Sequence, residues 1–330
     1  MKLSITIAIL GAVFLPGAFG QGAAANNITG MGYLYPSTIV APGQLISVFL
    51  EGNPQGDISA TVSGLTAPVL EVRPGSGCAS STLCSSLTAI TIQIPYDIEP
   101  GCALYPPVCN VMRQATLTVM VNGIAGASID LTPAADRVHL LTACDTVVPG
   151  SSGFAPANGL PCAPLVQHAD GSLVTSENPA AGGEEVVAYA VGLGLTTPPV
   201  PTGQSAATAT PTSEVFILDF NFRPNALATQ PMQPPCSCPA SERCPCPTSP
   251  IPVYAGLTPG YVGLYQVNFI VPAPPVDVQT CSSTAYSNLT VSVGGLASFD
   301  GAGICVAPPP DAGTSGRRAR VPEVSVRAGR

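Results

Sequence analysis

The sequence predicts an all-β protein built as two tandem antiparallel β-sandwiches. Three observations carry this: the abundance of Gly and Pro, short runs of strict apolar and polar alternation, and an internal repeat. Gly (34) and Pro (37) occupy 71 of 330 positions, and an interior Pro costs a helix about 3 kcal/mol. Strand signals are frequent. Ile90, Ile92 and Ile94 alternate with Thr91 and Gln93, Leu117, Val119 and Val121 with Thr116 and Thr118, and Leu289, Val291 and Val293 with Thr290 and Ser292. Side chains on a strand point to opposite faces in turn, so each run gives one apolar and one polar face, as a two-layer sandwich requires. Asn122-Gly123 and Gly294-Gly295 supply turn chemistry. Val186 to Val191 and Tyr265 to Val271 are more continuously apolar and read as central strands covered on both sides.

The repeat sets the organisation. A Gly-marked apolar strand (41–52), a segment TAPVLEVRPG (66–75), a strand ending in Pro (90–101) and a strand closed by a Gly turn (115–124) recur in the same order at 180–194, 251–260, 264–275 and 289–297. Two sandwiches follow, at 21–132 and 179–305, joined by a connecting segment at 133–178. The second carries a Cys- and Pro-rich insertion at about 223–250. Residues 306–330 hold five Arg among Pro and small residues, have no apolar period, and read as a disordered tail.

Residues 1–20 read as a signal peptide: Lys2, an apolar run from Leu3 to Leu15, and the small-x-small site Ala18-Phe19-Gly20. The expected mature chain starts at Gln21 and is secreted. No later stretch approaches the roughly 20 apolar residues that span a bilayer.

Composition excludes some partners. Charged residues are 9% of the chain, against about 25% in an average soluble protein. Between Gln21 and Cys305 stand 17 acidic and 5 basic residues, with no Lys. Nucleic acid, which demands spread cationic groups, is not an expected partner. The expected partner is an extracellular protein or a glycan.

All 12 Cys follow the signal, as an even set in an oxidising compartment. Sequence-local pairing joins Cys78 with Cys84, Cys102 with Cys109, Cys144 with Cys162, and Cys281 with Cys305. In the cluster, an extended hairpin through Pro239 to Arg243 sets Cys236 opposite Cys246 and Cys238 opposite Cys244. Thiolate binding of a soft metal is the rival reading of that cluster.

PAAGGEEVVAYAVGLG (179–194) and YAGLTPGYVGLYQVNFIVP (254–272) resemble the Solibacter-type uncharacterised C-terminal domain of secreted acidobacterial proteins. QHADGSLVTSENPA (167–180) resembles its connecting segment. IVAPGQLISVFLEG (39–52) resembles its opening strand, which is shared with immunoglobulin-like sandwich modules of the IPT/TIG kind. The resemblance covers about residues 33 to 305 and implies tandem immunoglobulin-like sandwiches in an exported protein. It implies no activity, and the extra Cys depart from the pattern.

The search for chemistry yields no catalytic residue and no cofactor. His139 in RVHLL reads as a half-buried strand position, and His168 before Ala169-Asp170-Gly171 as a surface turn. No nucleophile elbow, His-Glu-x-x-His, Walker loop or dinucleotide fingerprint occurs. Glu184 and Glu185 are adjacent and point to opposite faces, while Asp97 and Glu99 sit in a Pro-bounded turn, so neither pair suits glycoside hydrolysis. Loop calcium through Asp170, Glu177 or Asp97 lacks a defining spacing. Asn27-Ile28-Thr29 and Asn288-Leu289-Thr290 have sequon form by chance. Without Trp, a sugar platform falls to Tyr33 and Tyr35, or Tyr261 and Tyr265. The sequence therefore predicts a secreted, non-catalytic structural or interaction protein. A carbohydrate- or surface-binding module is the alternative, and a hydrolase with a loop-built site the last.

Overall fold

The computed structural model describes residues 27–33, 37–75, 87–101, 113–151, 153, 159–231 and 250–309. The signal segment, Tyr35, residues 310–330 and the Cys at 78, 84, 102, 109, 236, 238, 244 and 246 lie outside the described residues. Within them the chain is all-β, with 18 strands and no helix.

In the first sandwich, one antiparallel sheet runs β1 (Ile28–Gly32), β3 (Leu45–Glu51), β7 (Leu87–Gln93), β6 (Val69–Pro74). The facing sheet runs β2 (Ile39–Val40), β9 (Ile124–Pro133), β8 (Ala115–Val121), β4 (Ile58–Val62), β5 (Leu65–Ala67), with β2 parallel to β9 and the other pairs antiparallel. The core between them includes Ile46, Val48, Ile90 and Ile92 against Val62, Leu117, Val119 and Leu131. Asn122 and Gly123 close the β8–β9 hairpin at φ 51° and 77°, the left-handed pair that a two-residue turn requires.

The second sandwich repeats the plan. Its larger sheet runs β10 (His139–Leu140), β12 (Glu185–Val191), β16 (Tyr265–Ile270), β15 (Tyr254–Leu257), β13 (Thr210–Pro211), and β11 (Val166–Gln167) shares the edge of β12 with β10. The smaller sheet is β14 (Ile217–Asn221), β17 (Leu289–Gly294), β18 (Phe299–Ile304). The sequence repeat is thereby a topological one: β3-β7-β6 corresponds to β12-β16-β15, and β4-β8-β9 to β14-β17-β18. In the first sandwich the order of each sheet and the parallel β2–β9 contact follow the immunoglobulin plan, in which strands A, B, E and D face C, F and G.

Two expectations need correction. Thr91 and Gln93 on β7, and Thr290 and Ser292 on β17, are buried rather than solvated. Gln93 Oε1 accepts the N–H of Gly203 from the second sandwich at 2.6 Å. On β17, Thr290 Oγ1 donates to the carbonyl of Ala226 at 2.7 Å, and Ser292 Oγ accepts from Thr229 N at 3.2 Å, so the residues entering the insertion roof this strand. Conversely β12 and β16 are central but keep alternate residues half-buried, so among the described residues the outer face of their sheet is only partly covered.

The stretch 133–178 is more than a connection. Asp136, fully buried, accepts from Ala297 N at 2.8 Å and from Ser298 Oγ at 2.6 Å, and Arg137 N donates to Gly192 O at 2.7 Å. A Cβ on Gly192, at φ +77°, would stand 2.1 Å from the Arg137 carbonyl oxygen, so only Gly permits this approach. The disulfides Cys144–Cys162 and Cys281–Cys305 form as the local pairing predicts, with Cα separations of 5.7 and 6.0 Å.

Candidate functional site

The two cores meet at a junction. Leu141 and Val147 from the connecting segment and Val191 from the second sandwich belong to the first sandwich's hydrophobic cluster, and Leu165, Tyr189 and Leu264 pack against it. Tyr265, fully buried on β16, donates its hydroxyl to Gly194 O at 2.5 Å and lies 3.2 Å from the Tyr96 hydroxyl of the first sandwich. Tyr96 N in turn donates to Thr202 Oγ1 at 2.9 Å. The Tyr96 N–H and hydroxyl find these partners across the interface, so sliding of one sandwich on the other would leave them unpaired.

A charged cluster stands at one end of the junction. His139 Nδ1 is 3.1 Å from Asp300 Oδ2 on β18, and His139 Nε2 is 3.0 Å from Asp145 Oδ1, a close ion pair without good hydrogen-bond alignment. Asp300 Oδ2 also accepts from Leu140 N at 2.9 Å, and Asp145 Oδ2 from Thr142 N and Oγ1. Burial disfavours the imidazolium, but the two carboxylates outweigh it and push the His139 pKa up to about 9. Asp145 is held below the usual carboxylate range: burial raises it, and His139 with the Thr142 donors more than reverses that. Tyr33 stacks on the ring at 4.2 Å between centroids, while its hydroxyl donates to Leu45 O and accepts from Gln44 Nε2. The first sandwich thus grips the same imidazole that Asp300 grips from the second.

A pocket of about 310 Å³ beside this cluster is lined by Ser37, Arg137 and Phe299 among others. Its histidine has both ring nitrogens turned to carboxylates and no free one to accept a substrate proton. His168 is likewise engaged: Nδ1 meets Glu184 Oε1 at 2.5 Å and Nε2 meets Asn178 O at 3.1 Å. Its side chain is 11% exposed, less than a surface turn predicts, because Glu184 folds over it.

At the junction also lies a largely apolar groove of about 480 Å³, with Tyr261 at its mouth. Tyr261 is 59% exposed. Of the other tyrosines named from sequence, Tyr33 and Tyr265 are buried at 9% and 0% exposure and cannot stack a sugar. Each instead belongs to the core of its own sandwich, a placement that residue type alone does not reveal. Glu184 and Glu185 do take separate partners, His168 and Asn268. Glu99 in its turn pairs with Arg113. Asn288 is fully buried, donating to Gln279 O and Val306 O, so its sequon is not an acceptor site. Sequence reasoning missed Asp145, Asp300, Gln93 and Tyr96. No local signal marks Asp300, Gln93 and Tyr96, whose partners lie 161, 110 and 106 residues away, whereas Asp145 is near His139 in sequence and bonds Thr142 three residues before it. Among the described residues no cluster of ligating side chains is arranged to hold a metal ion.

Topology and junction define a two-sandwich, immunoglobulin-like protein. No family model and no curated protein matches the chain. Among solved structures it is similar to an adhesin of Yersinia pseudotuberculosis, InvE, at 10% identity and TM-score 0.20, over 87% of this chain and 61% of that one. The chain thus spans less than two thirds of the adhesin's length. It is also similar to the tandem Ig repeats of Dlar, at 11% identity and TM-score 0.16, over 83% and 94% of the two chains. The N-terminal eight Ig domains of Down Syndrome Cell Adhesion Molecule match at 9% identity and TM-score 0.18, over 87% and 38%. At such scores these matches add nothing to what the strand order itself defines.

Proposed function

We propose that this chain is an exported, non-catalytic interaction module in which two immunoglobulin-like sandwiches are clamped into one unit that engages an extracellular protein. One observation carries the reading: both histidines of the chain are spent on architecture, each with its two ring nitrogens facing carboxylate or carbonyl oxygens. The signal-like first 20 residues and the two disulfides support export. Kinship with the Solibacter-type domain family belongs to the same proposal and rests on residues 179–194 and 254–272. No helix among the described residues is long and apolar enough to cross a membrane.

The test is capture of a partner from culture by the mature protein, together with a screen on secreted-enzyme substrates. A stoichiometric protein partner and no turnover support the reading. Turnover that survives purification and is lost on His139→Gln overturns it. A carbohydrate-binding role is the second reading, favoured by the exposure of Tyr261. Binding on a glycan array that Tyr261→Ala abolishes would establish it.

A further inference from the structure

We propose that the junction groove is a binding site for a small neutral amphiphile, a molecule with an aromatic or alicyclic body and a single hydroxyl or carbonyl edge. Its volume of about 480 Å³ lies inside the range of small-ligand sites, about 300–1,000 Å³, and such sites gather at domain interfaces. The site is preformed. Leu165 N donates to Leu141 O at 2.8 Å, Leu141 N to Tyr189 O at 2.8 Å, and Tyr189 N to Leu165 O at 3.1 Å, so three wall residues share one hydrogen-bonded backbone cluster. The Cys144–Cys162 bridge ties together the ends of the segment that carries Val147 and Val148. A ligand there meets little reorganisation cost.

The lining sets the ligand's chemistry. Every side chain that lines the groove is uncharged, and the surrounding body is strongly acidic, so an ionised ligand would lose its hydration without gaining a counter-charge. The walls are Leu, Val and Pro, continuous with the interface core, and suit a flat or alicyclic apolar body. One corner is polar. The Tyr189 hydroxyl donates to Gln167 Oε1 at 3.0 Å, which commits the amide oxygen and leaves the amide N–H edge as the half able to donate. Burial raises the Tyr189 pKa first, and the nearby Tyr261 adds to it, so the Tyr189 phenol stays a neutral hydrogen-bonding group. One such corner matches one hydroxyl or carbonyl. A pyranose, polar around its whole rim, would leave most of its hydroxyls against Leu and Val.

The proposal goes beyond the interaction role, and the two fail separately, one in partner capture and the other in ligand binding. The probe is N-phenyl-1-naphthylamine, titrated by fluorescence into the mature protein. One saturable site per chain is expected. Val262→Trp, which fills the groove from a half-buried position, weakens it by about tenfold or more at an unchanged unfolding midpoint. Should that variant lose stability, Tyr261→Ala serves instead, at a position exposed enough to spare the fold. In competition, 1-naphthol displaces the probe better than naphthalene, and Gln167→Leu removes that preference. Absence of a saturable site, or binding indifferent to both groove variants, overturns the proposal. Equal competition by naphthol and naphthalene, or displacement by a neutral oligosaccharide instead, overturns the ligand class.

Discussion

Replacing His139 by Gln leaves the Asp145 and Asp300 carboxylates without the cation that stands between them. In the native protein the imidazole's pKa is raised to about 9 from an ordinary 6.5. A group whose folded pKa is raised stabilises fully below its unfolded pKa and stops doing so above its folded one. The His139 contribution is therefore complete below pH 6.5, declines between 6.5 and about 9, and is absent above. Each unit of pKa shift corresponds to 1.36 kcal/mol, which sets the charge-linked part at about 3 kcal/mol. The side chain of Asp145 is 1% exposed and that of Asp300 33%, so Asp145 carries most of the penalty when the cation goes, and Asp300 is relieved by water. Loss of the Tyr33 stack adds about 1 kcal/mol. The assay is urea unfolding of wild type and His139→Gln from pH 5 to 10. Near neutral pH the variant should be less stable by about 3–4 kcal/mol, and the gap should narrow steadily as pH passes from 6.5 to 9. A gap that stays constant across that window refutes the charge argument and leaves only packing. At the acid end the sign reverses: Asp145, held below the usual range, loses its contribution as pH falls through its own pKa.

Tyr265→Phe removes the donor to Gly194 O and the contact with Tyr96, and should cost about 1–3 kcal/mol in chemical denaturation; a cost near zero would mean water replaces the hydroxyl. Replacing Cys144 and Cys162 by Ser opens a loop with a sequence separation of 18 and should lower stability by about 3 kcal/mol. Insensitivity of the wild type to reductant would contradict that estimate. Residues 21–132, expressed alone, uncover Leu45, Gln93 and Tyr96. This half should melt at a lower temperature than the whole chain, which should unfold in one calorimetric transition; two independent transitions in the intact protein would show that the junction does not couple the sandwiches.

The all-β class, the repeated strand order and the Cys144–Cys162 and Cys281–Cys305 disulfides are legible in the residues alone. Each depends on interactions of short range along the chain: alternation with a period of two, Pro and Gly at turns, and Cys separated by 18 and 24 residues. Ile90 and Ile92 could be placed in a core from their neighbours alone. Their partners Thr91 and Gln93 could not be recognised as buried, because what covers Gln93 is Gly203, 110 residues away. The same holds for the tyrosines. Tyr33, Tyr261 and Tyr265 look alike in sequence, and only the tertiary packing places Tyr33 in the core of the first sandwich and Tyr265 in that of the second while leaving Tyr261 exposed beside a groove. His139 was legible as a half-buried strand residue, but not as the cation between Asp145 and Asp300. An electrostatic cluster of that kind is decided by distance in space, and the sequence does not show it until β10 and β18 are brought together in the second sandwich.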